Sequence, residues 1–276
     1  MRAFNRVSVR FDTLRFSINE MAGTISQFAG IYHERAPHGA LREHVRCFWV
    51  NDLSESQNEW VRVVPDGCAD IVWTGMSLIV AGPDTQSILD RLPRGAVVVG
   101  VRFHPGAASS WLGLPLNEIV NSRVPLAEFW KEDATRLFAK ASASGSALEV
   151  ALALEAVLRS RLAVVGLADR QVAFLRQAAG DQCYPAGIRL DRLAAQMGMS
   201  ERTLRRRCLD AFGYGFKTLD RVLRFQRFFR LAAQASIGGL AELASRAGYA
   251  DQAHMTREVQ RMSGASASEF VAQVQG

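Results

Sequence analysis

Residues 193–208 read LAAQMGMSERTLRRRC, and residues 248–270 read GYADQAHMTREVQRMSGASASEF. Both stretches belong to one unit that occurs twice. Its apolar residues follow the helical steps i, i+3, i+4 and i+7 in each copy: Leu190, Leu193, Ala194 and Met197, then Leu240, Leu243, Ala244 and Ala247. A glycine suited to a left-handed helix end follows each set, and a capping residue then opens a second helix: Gly198 and Ser200, then Gly248 and Asp251. Two helices joined by a short turn, present twice, are the helix-turn-helix pattern.

The second helix of each copy has a polar face opposite its apolar stripe. At about 100° per residue, Arg202 and Arg206 lie opposite Leu204, and Arg205 lies about 100° from it. In the second copy the positions of 202, 205 and 206 hold Ala253, Thr256 and Arg257. Arginine can bind guanine and glutamine can bind adenine through paired hydrogen bonds, whereas threonine reaches a base or a phosphate. We therefore predict two DNA recognition helices, whose contacting residues are Arg202, Thr203, Arg205, Arg206, Gln252, His254, Thr256 and Arg257.

The positive charge is concentrated on the first copy. The chain has 33 Lys+Arg and 27 Asp+Glu, a net charge of +6, but residues 188–230 alone carry 11 basic and 4 acidic side chains, a net of +7. A basic block on a near-neutral body indicates a polyanionic partner, with nucleic acid ahead of anionic lipid. Because Glu258 stands where the first copy has Arg207, we predict that the first unit supplies most of the affinity and selectivity, and the second mainly the register.

Over about residues 165–274 the chain resembles the AraC/XylS family of bacterial transcription regulators. The family's units read like LAxxxGxSxRxLxRxF and GFxDQSHFxRxFxxxxGxSPxxY, and the helix from Phe216 to Leu231 resembles the linker between them. The resemblance implies that the recognition helices enter successive major-groove segments, about 34–36 Å apart. The chain departs from the family at its usual bulky core or proline positions, which hold Cys208, Met255, Val259, Phe216 and Ala267.

The first half has a different periodicity. Short apolar runs separated by turns fill residues 45–103, which is typical of an antiparallel sandwich or small barrel. This half resembles an uncharacterised sensor-type domain that often precedes AraC-type modules, and the likeness implies a cupin-like β-sandwich followed by helices. We predict an α+β protein of two domains. A β-rich sensor or dimerisation domain spans 1–163, and an all-α DNA-binding domain spans 164–276, with helix-turn-helix units at about 188–213 and 238–264 and a linker helix at 216–232.

A small effector is the expected ligand of the first domain. Tryptophan side chains with a few polar groups can form the apolar pocket that such a ligand needs, so the candidate residues are Trp49, Asp66, Trp73, Arg102 and His104. In the alternative interpretation, both tryptophans belong to the core and Arg102 lies at the surface. No two of the five histidines are two residues apart, so the His-x-His pair of metal-dependent cupins is missing. We therefore predict no metal, no cofactor and no enzymatic activity.

The leading hypothesis is a transcription regulator that binds double-stranded promoter DNA. A small effector, a second copy of the chain and, for an activator, RNA polymerase are its further expected partners. The N-terminus lacks a secretory apolar run and no stretch reaches the length of a membrane span, so we expect a soluble, cytoplasmic protein.

Two alternatives stay open. One is an enzyme or a thiol-based redox or damage sensor fused to a DNA-binding domain, with Cys68 as the thiol, although the neighbouring Asp66 and Asp70 would disfavour its thiolate. The other is a membrane- or RNA-surface protein that uses the basic block without sequence preference.

Overall fold

The architecture comes from a computed structural model that describes residues 24–25, 30–53, 60–92, 95–180, 190–234 and 239–275. The predicted starts of the two helix-turn-helix units, at residues 188 and 238, lie outside these ranges, as do Cys183 and the N-terminal stretch considered for a signal.

The first part of the chain forms two sheets. Their strands are β1 (Thr24–Ile25), β2 (Ile31–Arg35), β3 (Val45–Asp52), β4 (Trp60–Val63), β5 (Asp70–Trp73), β6 (Leu78–Ala81), β7 (Ile88–Arg91), β8 (Val97–Phe103) and β9 (Arg123–Pro125). The larger sheet has the order β2-β3-β8-β5-β6-β9 and is antiparallel throughout. The smaller sheet has the order β1-β4-β7, and β1 runs parallel to β4.

Pairing of β3 with β8 sets the positions of the candidate sensor residues. Trp49 lies directly opposite Gly100, where a Cβ atom would come within 2.4 Å of the indole ring, so this close approach requires glycine. An irregularity between Val45 and Cys47 places Arg46 in a β-bulge at the end of the ladder. The side chains on the two faces of the larger sheet form separate buried clusters. One cluster lies beneath the smaller sheet, and the other lies beneath helices.

Four helices cover the second face: α1 (Ala108–Leu112), α2 (Ala127–Trp130), α3 (Glu132–Ala143) and α4 (Ala147–Val165). Trp111, Leu137 and Leu154 are buried against the sheet, and the ring of Phe138 meets the edge of Trp73 at 5.5 Å between centroids. Because α4 extends to Val165, it runs through the predicted domain boundary at 163/164, which stays a prediction. Within the described ranges, no helix has both the length and the apolar character needed to cross a membrane.

The described residues after α4 are mainly helical, in agreement with the predicted α+β class. Their helices are α5 (Arg170–Gly180), α6 (Leu190–Gln196), α7 (Glu201–Phe212), α8 (Phe216–Ala232), α9 (Leu240–Ala247), α10 (Gln252–Ser263) and α11 (Ala267–Gln275). The apolar stripes of α7 and α10 are buried in one core, to which α8 and α11 contribute aromatic rings. Cys208 and Met255, smaller or more flexible than the usual family residues, are fully buried there.

The turn of each helix-turn-helix unit forms as its sequence predicts. Ser200 accepts a hydrogen bond from the N–H of Thr203, and Asp251 accepts one from the N–H of His254. Gly198 and Gly248 adopt left-handed conformations, with φ of +64° and +84°. These local signals account for the end of the first helix and the start of the recognition helix in each unit.

The helical part packs directly against the β-rich part along an interdomain seam. A Cβ atom on Gly106 would lie 2.4 Å from Val172 and 2.6 Å from Phe212, and the side chain of Gln226 donates a hydrogen bond of 2.7 Å to the carbonyl of Pro65. Farther along, Arg62 donates a hydrogen bond to the carbonyl of Ser263 at the end of α10. The seam therefore contacts both helix-turn-helix units.

Two glycines allow the tightness of this seam to be measured. Gly213 and Gly198 are both left-handed, but a Cβ on Gly213 would lie 2.6 Å from Val120, whereas nothing lies within 4 Å of one on Gly198. Gly198→Ala should cost about 1 kcal/mol of backbone strain. Gly213→Ala should cost roughly 1–3 kcal/mol more from overpacking. Urea unfolding of both variants measures the difference, and equal losses would contradict a tight seam at Gly213.

Candidate nucleic-acid interface

The first recognition helix, α7, exposes three arginines on one face. Arg205 forms an ion pair with Glu201 one turn earlier, with 3.4 Å between Nη2 and Oε2. Arg202 and Arg206 are exposed and have no ion-pair partner among the described residues. Exposed guanidinium groups without an internal partner can bind an external acceptor without first breaking an ion pair, so this face is suited to an anionic, hydrogen-bonding partner.

Thr203 and Arg207 of α7 form hydrogen bonds to other side chains of the protein. The hydroxyl of Thr203 lies 3.0 Å from that of Ser200, and Arg207 donates to the carboxylate of Asp169 at 2.8 Å. Asp169 also accepts hydrogen bonds from the N–H groups of Gln171 and Val172 at the start of α5. Burial acts to raise the pKa of Asp169, but these hydrogen bonds and the charge of Arg207 hold it below its usual value. Asp169, which the sequence analysis missed, thus fixes α7 to α5.

The second recognition helix, α10, is less basic on its outward side. Gln252 and Arg257 are exposed, and Thr256 is half-buried. The ring of His254 contacts the edge of Tyr249, with 5.5 Å between centroids, so His254 also has a packing role. The predicted DNA contacts of both helices stay predictions, although the structure places their side chains at the N-terminal ends of the two recognition helices.

Part of the basic block is structural. On α8, Arg224 is buried, forms an ion pair with Asp220 and lies 5.6 Å from the ring centroid of Tyr249. Arg227 donates a hydrogen bond of 3.2 Å to the carbonyl of Ala247 at the end of α9. These two arginines therefore hold the second unit against the linker helix, so the net charge of +7 overstates what is available to a partner.

Three of the five predicted effector residues lie together in the β-rich part. Arg102 donates to Asp70, with 2.9 Å between Nη2 and Oδ2, and lies 3.2 Å from Asp66. The indole N–H of Trp49 donates to the same Asp70 at 3.0 Å. Burial opposes the charge on Arg102, but the two carboxylates raise its pKa well above the usual value. Only 13% of the Arg102 side chain is exposed, so the alternative was wrong to place it at the surface, but both tryptophans do belong to buried clusters, as that alternative held.

The other two candidates lie elsewhere. Trp73 points to the opposite face of the sheet, where it is buried beneath the helices, because neighbouring residues of a strand alternate between faces. His104 lies beyond the end of β8 at the interdomain seam, and its Nε2 is 3.2 Å from the carbonyl of Arg42. The geometry thus gives a closed Trp49–Asp66–Asp70–Arg102 network rather than a pocket lined by all five residues. Within the described ranges, no group of three or more His, Cys, Asp or Glu side chains could hold a metal ion.

Cys68 is buried beside this network. Its N–H donates to the carboxylate of Asp66 at 2.9 Å, and Gly67 between them is left-handed. Burial, together with the charge of Asp66, raises the pKa of the thiol well above its usual value. A thiol that stays protonated and covered is a poor nucleophile.

We therefore expect iodoacetamide to leave Cys68 unmodified in the folded protein at neutral pH. The same cysteine should react fully in urea, which serves as the positive control. Peptide mass spectrometry measures both. Rapid alkylation of Cys68 in the folded chain would favour the thiol-sensor alternative.

Comparison with known proteins gives two family matches. Residues 193–273 match a model described as a helix-turn-helix domain, and residues 33–125 match one described as a domain of unknown function, DUF6597. No curated protein matches the chain.

Several solved structures are similar. An apo ToxT variant from Vibrio cholerae strain SCE256 shares 13% identity at a TM-score of 0.46, covering 87% of this chain and 100% of that chain. A structure of wild-type ToxT from the same strain, bound to unsaturated fatty acid, shares 10% identity at a TM-score of 0.41 and covers 84% of this chain and 97% of that chain. The C-terminal domain of AraT, a response regulator from Geobacillus stearothermophilus, shares 20% identity at a TM-score of 0.34 and covers 38% of this chain and 85% of that chain. At TM-scores below 0.5, these likenesses are too distant to assign a ligand or a site.

Proposed function

We propose that the chain is a DNA-binding transcription regulator of the AraC type, which binds a specific promoter sequence under the control of a small effector. The proposal is supported by the match of residues 193–273 to a helix-turn-helix domain, behind a stretch that matches DUF6597. The observation that carries the proposal is the exposed face of α7, where Arg202 and Arg206 have no ion-pair partner among the described residues. The matching position of Arg257 on α10 supports a second contact in the next major-groove segment.

Effector control is supported by the interdomain seam. An effector changes DNA affinity only if it binds the DNA-competent and DNA-incompetent states with different affinity. The seam contacts α7 and α8 through Gly213 and Gln226, and α10 through Ser263, so a ligand that shifts the β-rich part would alter the relation between the two recognition helices. A homodimer, contact with RNA polymerase in an activator, and a cytoplasmic location belong to the same proposal.

Selection of genomic duplex fragments by the purified protein tests the proposal directly. We expect one enriched motif that can hold two half-contacts about one helical turn apart. The selected duplex should bind about a thousandfold or more tightly than a random duplex of equal length. Failure to enrich any motif would contradict sequence-specific regulation and favour non-specific binding through the basic block.

The salt dependence of the same binding reports how many phosphates are neutralised. A slope of log K against log salt of about −0.9 per phosphate contact is expected for duplex DNA. Replacing an arginine that contacts only phosphate should make the slope shallower by about one contact and weaken all duplexes equally. Fluorescence anisotropy titrations at salt concentrations from about 50 to about 200 mM measure the slope and its change.

A further inference from the structure

The first recognition helix begins with an exposed carboxylate. Glu201 is the first residue of α7 and directly follows the capping residue Ser200. At the equivalent place in the second unit, Gln252 is the first residue of α10 and follows the capping residue Asp251. Glu201 and Gln252 therefore hold equivalent positions, although only Gln252 is among the DNA contacts predicted from the sequence. The N-terminal residues of a recognition helix are those that contact base edges in the major groove, so the position of Glu201 is suited to base contact.

The carboxylate of Glu201 lies beside the guanidinium of Arg205. Arg205 Nη2 is 3.4 Å from Glu201 Oε2, one turn along the helix, and 66% of the arginine side chain and 45% of the glutamate side chain are exposed. An exposed ion pair of this kind contributes little to stability, so a duplex can separate the two side chains at small cost. In the free protein the pair presents a hydrogen-bond acceptor next to a donor at the N-terminal end of α7.

The charged neighbours of Glu201 on the exposed face of α7 are basic. Arg202 and Arg206 are exposed, and neither has an ion-pair partner among the described residues. On such a face a carboxylate opposes binding to phosphates, and it therefore weakens duplex binding unless it meets a hydrogen-bond donor. Base edges in the major groove offer exocyclic amines as donors, and the N4 amine of cytosine is the one that glutamate pairs with.

The second recognition helix lacks both charges of this pair. Gln252 and Thr256 stand where α7 has Glu201 and Arg205, and the first turn of α10 contains no acidic residue. Glutamine carries both a donor and an acceptor and pairs with adenine, whereas glutamate only accepts. The two units therefore present different hydrogen-bonding groups at the same position, and they should select different bases there.

We propose that Glu201 is a specificity-determining residue, which accepts a hydrogen bond from the N4 amine of a cytosine while Arg205 donates to O6 and N7 of a guanine. The two bases belong to one C·G base pair or to neighbouring pairs. Guanine and thymine present only acceptors in the major groove, so they repel the carboxylate, and selectivity arises from this repulsion as well as from the attractive contact. The inference rests on the DNA-binding function proposed above and names the base that one position of the binding site holds.

The chain contains a matched control pair on α9. Glu242 and Arg246 form the same kind of ion pair one turn apart, with 3.5 Å between Arg246 Nη1 and Glu242 Oε1, and their side chains are 48% and 44% exposed. This pair lies outside both recognition helices. Glu242→Gln therefore removes one negative charge from the same part of the chain without changing the proposed base contact.

Selection from a randomised duplex library by the full-length protein tests the role of Glu201. The unmodified protein should enrich a motif with cytosine at one position of the half that the first unit binds, and replacing that cytosine should weaken its binding about tenfold. Glu201→Gln should enrich adenine at that position. Glu201→Ala should lose most of the tenfold difference while it binds random duplexes more tightly. Glu242→Gln should enrich the same motif as the unmodified protein.

Thermal unfolding separates base contact from helix stabilisation. An acidic residue in the first turn also stabilises a helix, so Glu201→Ala should lower the Tm whether or not it contacts a base. Glu201→Asp keeps that charge but shortens the side chain by one methylene group, so it should keep the Tm and lose most of the cytosine preference. If base preference instead followed the Tm across these variants, Glu201 would act only on the helix, and the proposal would be overturned.

The library selection also distinguishes failure of this inference from failure of the proposed function. Absence of any motif with the unmodified protein would contradict both. A motif that Glu201→Gln and Glu201→Ala share with the unmodified protein would contradict only the role of Glu201. An equal change of motif in Glu242→Gln would show that net charge, rather than a contact at the start of α7, sets the base preference.

Discussion

Arg206→Ala should weaken binding to the selected duplex about tenfold to a hundredfold. A lost bidentate contact to a base costs roughly 1–3 kcal/mol. Arg206 is exposed on α7, and no ion pair with a described residue competes for its guanidinium. Arg257→Ala on α10 should have a smaller effect, because the first unit carries more of the available positive charge. Anisotropy titrations at fixed salt measure both dissociation constants.

Arg246→Ala is the matched control for charge. Arg246 is exposed on α9, outside both recognition helices, and forms an ion pair with Glu242. Arg246→Ala removes one positive charge, as Arg206→Ala does. If base contact rather than net charge determines DNA affinity, Arg246→Ala should therefore weaken binding much less than Arg206→Ala. A loss from Arg257→Ala equal to or larger than that from Arg206→Ala would contradict the leading role of the first unit.

Asp70→Ala should have the largest effect on stability, about 3–5 kcal/mol in the free energy of unfolding. The cost arises because breaking a buried ion pair leaves the other charge uncompensated. Asp70 is buried and accepts hydrogen bonds from both Arg102 and Trp49. Its loss would leave Arg102 with Asp66 alone and the Trp49 N–H without its acceptor. Urea unfolding followed by far-UV circular dichroism measures the change.

A compensated variant separates charge from packing. Asp70→Leu combined with Arg102→Met removes both charges, and such replacements of a buried pair by apolar residues are often neutral. The double variant should therefore recover part of the stability lost by Asp70→Ala; Asp66 loses its partner Arg102, and the Trp49 N–H stays without its acceptor. A loss of less than about 1 kcal/mol in Asp70→Ala would show instead that Arg102 is solvated and free to bind a ligand.

The helical part of the fold was predictable because its signals are local. Leu204 and Cys208 lie one turn apart on α7, and Ser200 caps the helix three residues before its bonded N–H. Such contacts join residues close in sequence, so the pattern of apolar residues, caps and glycines carries them directly. The exposed positions of Arg202 and Arg206 follow from the same periodicity.

The fold of the β-rich half was predictable only in class. Short apolar runs with turns indicated strands, but not that Trp49 and Trp73 would face opposite sides of one sheet. Strand pairing joins residues far apart in sequence, such as Asp70 with Arg102, and no periodicity of a single strand encodes its partner. The buried network around Arg102 is therefore a product of the sheet register.

The sequence by itself determined two helix-turn-helix units and the outward arginines of the first, because helix periodicity and capping depend on neighbours within a few residues. The tertiary structure alone decided which basic residues are available to a partner. It places Arg224 in the core and pairs Arg207 with Asp169 of a separate segment. Charge is written in the sequence, but its compensation depends on contacts between distant segments, which form only when the sheet and the helices pack.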